Sequence, residues 1–510
     1  MFEHAQFCRI IAVWVLIVTV AEHLVEAEYM RGCYFTNWAR YRTGRCKFSL
    51  DTYQPGMCTH VFYAFAKFNY DFEAEPTDPE DLPSSYYIGT YATVTNLKKI
   101  DPDLKISLSF GGYSFGGYLF GLMASTETNR QKFISSAIEF ARRYKFDGID
   151  IDWEYPSANE KQLYVLFIKE LRDAVEAESE STKQPRLLVT AAVPAGKATI
   201  DTGYDVAALA PYMDYFLVMT YDYHGSWNSY TGNNSPLFAR ENQTDKTFCD
   251  VSSFNAAIFT QLRVEYLQAW TMNYYASLGA PKNQLIMGFP NYGRGWMLRN
   301  RQENYVGAPA NGPSPAYPCT QTAGIAAYLE ICEVLAKPGV QDLFNEEQEV
   351  PYFINGDEWM SYDDVESVRI KAEWARNEGF GGGFVWTLDF DDFNGQCPGN
   401  SHPYPLTRTM GSVFSNGQLP SPVPTVAPST SRPTVPAVTA TTVAPPQTSS
   451  TAAPGVFTCP GDGLYADPTN CNRFYQCTFG QSYLLSCPPG LHFSPLYKVC
   501  DFAGNVSCKV

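Results

Sequence analysis

Eight apolar runs of strand length recur between residues 30 and 390, at 32–35, 60–65, 105–110, 148–154, 187–193, 215–221, 284–289 and 382–388. Between them the apolar positions return every three or four residues, the spacing of one helix face. Phe133, Ile134, Ala137, Ile138 and Ala141 trace one such face, and Leu163, Phe167, Leu171 and Val175 another. Strands alternating with helices predict parallel β/α units, and closing eight strands into a (β/α)8 TIM barrel is the simplest way to bury them all. The gap between the seventh and eighth runs is about twice the others, which predicts a small α+β insertion at about 295–365.

The pattern stops at 416–455, where Pro, Thr, Ser, Ala and Val dominate and Arg432 is the only charge. Such a stretch buries too little apolar surface to offset ordering, so a linker is predicted. Beyond it, 456–510 carries Cys459, Cys471, Cys477, Cys487, Cys500 and Cys508. A unit this small needs staples, so a disulfide-rich β module is expected, with fifteen pairings open.

A short polar start, an apolar run at 10–21 and small residues around Ala27 have the form of a signal peptide spanning 1–27. The expectation is a secreted, extracellular protein whose 14 cysteines mostly pair, with a barrel domain over 28–415. The balance of 37 basic against 53 acidic residues, a net charge of −16, argues against nucleic acid and anionic lipid as partners. The aromatic share of 15% fits either a Tyr/Phe-rich core or stacking on sugar rings. Asn233, Asn242 and Asn505 head glycosylation sequons. No cofactor, metal or membrane is called for, and a monomer is expected.

The chemistry concentrates at Asp147-Gly-Ile-Asp150-Ile-Asp152-Trp-Glu154-Tyr155. On a strand, alternate side chains share a face about 6.6–6.8 Å apart. Asp150, Asp152 and Glu154 therefore form one file, backed by Ile149, Ile151 and Trp153. Carboxyls that close resist joint ionisation, which is one way to keep a general acid protonated near neutral pH. A calcium site and a purely structural acidic strand are the alternatives. Calcium loops favour Gly and Asn between ligands rather than β-branched residues.

The ordered series Cys33-Tyr34-Phe35-Thr36-Asn37-Trp38, Ser109-Phe110-Gly111-Gly112, Asp147-x-x-Asp150-x-Asp152-x-Glu154, Met219-Thr220-Tyr221-Asp222, Tyr292-Gly293-Arg294 and Trp386-x-x-Asp389 resembles the family-18 glycoside hydrolases, the chitinases and their lectin relatives. The resemblance implies substrate-assisted retaining catalysis on chitin and chito-oligosaccharides, an exception to the two-carboxylate scheme. Glu154 would be acid and then base. Asp152, turning away from Asp150, would orient the sugar's acetamido group, and Tyr221 would hold its oxygen. Trp386 would floor the cleft and Trp38 and Trp227 would stack flanking sugars. Tyr34, Met219, Asp222, Tyr292 and Arg294 would line it. Tyr113 stands where many chitinases have Trp, and Phe384 where Met is frequent.

The resemblance also implies Cys33–Cys58 and Cys332–Cys397 bridges. A Cys249–Cys319 bridge is expected among the extra cysteines, leaving Cys46 odd. The six-cysteine tail resembles the peritrophin-A chitin-binding module, which implies Cys459–Cys477, Cys471–Cys508 and Cys487–Cys500, with Tyr465, Phe474, Tyr475 and Phe493 as sugar contacts. The alternative function is a chitin-binding lectin of the same fold, which typically lacks the acid at the position of Glu154.

Overall fold

The computed structural model describes residues 28–85, 87–239, 267–399, 402–419, 463–478, 481–487, 491–495 and 499–502. The chain divides into two compact units, Met1–Ala427 and Pro428–Val510. The expected signal segment, nearly all of the linker, Asn242, Asn505, Cys249, Cys459 and Cys508 lie outside the described residues.

The first unit is a closed parallel barrel. Its strands are β1 (Met30–Thr36), β2 (His60–Phe68), β4 (Lys105–Gly111), β5 (Gly148–Asp152), β6 (Leu188–Val193), β7 (Tyr215–Val218), β8 (Leu285–Pro290) and β15 (Gly382–Trp386), while β3 (Ala74–Pro76) pairs antiparallel with the end of β2. β1 pairs with both β2 and β15, which closes the circle. Each predicted run coincides with a barrel strand, though several end earlier than their apolar run.

The helical faces also match. Glu127–Arg143 buries Phe133, Ile134, Ala137 and Ala141, and Lys161–Thr182 buries Phe167, Leu171 and Val175. The first of these starts where Thr126 Oγ1 accepts from the Asn129 N–H at 3.2 Å, satisfying a donor that has no partner inside the helix.

Between β8 and β15 sits the insertion, an antiparallel sheet of β9 (Tyr292–Leu298), β10 (Ala310–Pro313), β11 (Ile325–Ala327), β12 (Gln341–Asn345), β13 (Val350–Asn355) and β14 (Glu358–Ser361), with a helix at Tyr328–Leu335. Buried Trp296 and Trp359 form its own core.

Cys33–Cys58 and Cys332–Cys397 form as expected, but Cys319 pairs with Cys46, not with Cys249. The loop after β1 and the insertion lie 273 residues apart in sequence yet bring these Cα atoms to 5.1 Å, a proximity that spacing along the chain does not encode. Asn233 is also buried, and its Nδ2, the atom a glycan would need, donates to Gln348 at 2.9 Å. The folded chain has no room for a glycan there.

In the second unit β16 (Gly463–Ala466), β17 (Arg473–Thr478) and β18 (Gln481–Ser486) form one sheet, and β19 (Leu491–Ser494) pairs with β20 (Val499–Phe502). Phe474 stacks on Phe493 with ring centres 4.7 Å apart, and Phe493 is buried. These two are core, whereas Tyr465 and Tyr475 face each other across β16 and β17. Cys471 and Cys487 are disulfide-bonded; each expected pairing involves a side chain outside those described. No helix among the described residues is long and apolar enough to cross a membrane.

Candidate active site

β5 ends at Asp152, so Glu154 stands two residues beyond the sheet rather than on its last residue. The alternation still holds. Ile149, Ile151 and Trp153 are buried in the wall, Trp153 lying flat on Phe120 at 5.2 Å. Asp150 and Asp152 face the barrel interior, where both are buried.

Their surroundings differ. Asp150 accepts hydrogen bonds from three hydroxyls, Tyr34 at 2.8 Å, Ser109 at 2.6 Å and Thr190 at 2.7 Å, reaching it from β1, β4 and β6. Burial raises its pKa and these donors pull it part of the way back. Asp152 has a buried Oδ1 with no protein donor. Burial, then the negative charges of Glu154 and Asp150, push its carboxyl well above the usual range. Glu154 is half-buried at the mouth. Burial and the charge of Asp222 push it up to about 7, against a hydrogen bond from Tyr155. The strand end thus holds one fully satisfied carboxyl, one under-satisfied carboxyl and one acid that ionises near neutrality, the set that proton exchange requires.

Two glycines let β4 approach this strand. Gly111 and Gly112 have φ of 116° and 87°, in the region that favours glycine. The Gly112 N–H donates to the Asp152 carbonyl at 2.9 Å, and a Cβ there would come within 2.6 Å of the Phe65 ring.

The opposite wall comes from the loop after β7 and from β9. Asp222 accepts from Tyr292 at 2.6 Å and from Arg294 Nε and Nη2 at 2.8 and 2.7 Å. The Arg294 guanidinium lies 5.0 Å from the Trp227 ring centre. Tyr221 is buried between this wall and the barrel interior, 6.1 Å from Tyr292 and 6.2 Å from Phe384. Burial raises its pKa well above the usual phenol value, so it stays a neutral donor. Met219 is half-buried beside this group.

The aromatic floor runs along the strand ends. Trp386 closes β15 and is half-buried, Trp38 follows β1 and is 41% exposed, and Tyr113 after β4 is 85% exposed. Tyr34 is buried below the floor; it holds Asp150 and does not line an open groove. Phe384 is likewise buried under Tyr34 and Tyr221.

Phe65 was not legible in the sequence. Its ring stacks on Trp38 and on Trp386, each at 5.9 Å, completing a strip of three rings. The register of β2 against β4 slips between Ala64 and Ala66, so Phe65 leaves the strand alternation. The apolar run at 60–65 marks a strand but not this irregularity. Among the described residues no group of His, Cys, Asp or Glu could hold a metal ion.

Comparison with known proteins identifies the architecture. Residues 30–391 match Glycosyl hydrolases family 18, and residues 459–508 match the Chitin binding Peritrophin-A domain. The chain belongs to glycosyl hydrolase family 18. A probable endochitinase of Caenorhabditis elegans is 42% identical over 96% of this chain and 80% of its own. The crystal structure of an immunomodulatory active chitinase from Trichuris suis is 41% identical, with a TM-score of 0.70 over 76% of this chain and 100% of that one. Human YKL-39, described as a pseudo-chitinase with retained chitooligosaccharide binding properties, is 34% identical with a TM-score of 0.68, over 76% and 100%. Solved structures described as an active chitinase and as a pseudo-chitinase are thus both similar to this barrel.

Proposed function

We propose that the protein is a secreted, monomeric chitinase that hydrolyses β-1,4 N-acetylglucosamine linkages in chitin, probing the polymer as an endo-acting enzyme, by substrate-assisted retaining catalysis. A signal peptide (1–27), a catalytic domain (28–415), a linker (416–455) and a chitin-binding module (456–510) divide the work. The observation that carries the reading is Asp152: a buried carboxyl oxygen without a donor, beside an acid that ionises near pH 7.

In the first step Glu154 gives its proton to the glycosidic oxygen as the C1–O bond breaks. The acetamido oxygen of the same sugar closes on C1, forming an oxazolinium ion. Asp152 accepts the acetamido N–H on its free oxygen and stabilises the positive charge that develops there. The Tyr221 hydroxyl aligns the acetamido oxygen. Glu154, now a carboxylate, takes a proton from water, which opens the ring with retention at C1. Asp150 keeps its hydroxyl partners throughout and fixes the strand beneath.

Trp386 carries the sugar at the cut, with Trp38, Phe65, Tyr113 and Trp227 stacking its neighbours. The need for an N-acetyl group selects chitin over cellulose. Tyr465 and Tyr475, a half-buried cross-strand pair, are the module's candidates to contact chitin, since Phe474 and Phe493 are taken up by its core. Tethering such a module to the barrel raises the concentration of insoluble chain near the cleft.

The test is Glu154→Gln, assayed on a soluble chitin hexamer with product anomers followed by NMR. Turnover should fall by about 10³-fold or more while hexamer affinity persists. Turnover near that of the unmodified chain removes the acid assignment. An unmodified chain that binds the hexamer without cutting it leaves the lectin reading.

A further inference from the structure

The strip formed by Trp38, Phe65 and Trp386 rests on a polar network that takes no part in the chemistry. Asp81 lies in the segment between β3 and the helix Thr90–Thr95 and is fully buried. Its Oδ2 accepts from Asn37 Nδ2 at 2.8 Å, and its Oδ1 from the Tyr63 hydroxyl. Asn37 immediately precedes Trp38, and Tyr63 lies two residues before Phe65. Arg40 approaches the same carboxyl at 3.7 Å and also pairs with Asp78 at 3.0 Å.

A second bridge runs beside the first. The Thr77 hydroxyl donates to the Phe65 carbonyl at 2.6 Å and accepts from the same Asn37 Nδ2 at 2.9 Å. Both bridges therefore tie the backbone bearing Trp38 to the backbone bearing Phe65. A buried carboxylate with two donors transmits displacement of either strand end to the other, because leaving it under-satisfied costs more than moving with its partners. Phe65 lies between Trp386 and Trp38, so a ligand seated on Trp386 reaches Trp38 only by passing Phe65.

We propose that Asp81 and Thr77 are positioning residues that set the alignment of the Trp38 and Phe65 rings, and so give the cleft its preference for long N-acetylglucosamine oligomers over short ones. The identity of the sugar rests on the function proposed above; the clamp itself rests on the network.

The experiment measures affinities of the full chain for the N-acetylglucosamine hexamer and dimer by calorimetry. Thr77→Val, at an exposed position, and Asp81→Asn should each weaken the hexamer roughly tenfold and leave the dimer within about twofold. Thr77→Ser, which keeps the hydroxyl on both partners, should bind the hexamer within about twofold of the unmodified chain. Equal weakening of both ligands, or no weakening of the hexamer by Thr77→Val, overturns the clamp. Turnover of the hexamer by the unmodified chain is scored separately: binding without cleavage would defeat the hydrolase reading while the affinity ratio still judged the clamp.

Discussion

The two walls of the cleft treat their carboxyl groups in opposite ways. At the end of β5, Asp150 and Asp152 are buried and Glu154 is half-buried, and none of the charges acting on them is positive. Across the cleft, Asp222 is exposed to solvent yet held by two bonds from one guanidinium and one from a phenol. Burial works against the Arg294 charge, but Asp222 and Tyr292 together more than offset it and raise its pKa above the usual value. The first wall favours neutral acids that exchange protons; the second favours a fixed ion pair that keeps its shape. Burial without a counter-ion makes a reactive carboxyl, and a bidentate arginine makes a structural one.

Replacing the under-satisfied group breaks this contrast most severely. Asp152→Asn keeps the volume and an oxygen that can accept the acetamido N–H, but removes the carboxylate charge that offsets the positive charge developing on the sugar. On a soluble oligomer its kcat should drop by about 10²–10³-fold, measured against an unchanged fold by circular dichroism. A loss of less than about fivefold would mean that Asp152 only packs the barrel.

The ion-pair wall should respond in KM instead. Arg294→Met keeps an unbranched side chain but removes the guanidinium over Trp227 and leaves the Asp222 carboxylate with Tyr292 alone. A KM increase of about tenfold with kcat within about twofold is expected. Parallel loss of kcat would show that the two walls do not divide the work in this way.

The smallest effect is on stability, and its sign follows from Glu154. Its folded pKa of about 7 lies above the ordinary carboxyl value of 4.5, so the fold favours the protonated form. Stability from this group is complete below the unfolded value and is lost as pH rises through about 7. Glu154→Gln removes that loss. Thermal unfolding of the variant should match the unmodified chain near pH 4 and exceed it near pH 8, by on the order of 2 kcal/mol. The same ionisation predicts that activity declines on the alkaline side as the acid loses its proton near pH 7. A flat profile from pH 5 to 9 would place the controlling acid elsewhere.

Local periodicity was enough to locate all eight barrel strands and the buried faces of the helices around Phe133 and Phe167, because strand and helix repeats depend only on near neighbours in the chain. It also placed Asp150 and Asp152 on one face of a strand backed by Ile149, Ile151 and Trp153. The family motifs extended this to Tyr221, Trp386 and two disulfides. Other features depended on contacts between distant segments. Tyr34 looked like a cleft residue until its hydroxyl was found on Asp150, across the barrel. Phe65 joined the aromatic strip only through a register slip between two strands. Cys46 met Cys319 because the loop after β1 packs against the insertion, and Phe474 met Phe493 because two sheets of the small module close on each other. Sequence alone determined which faces are apolar and which strand carries the acids, since side-chain alternation is built into each segment. Tertiary structure decided which of those acids has a partner, and therefore which can hold a proton, because solvation and hydrogen bonding are set by neighbours that the chain supplies from far away.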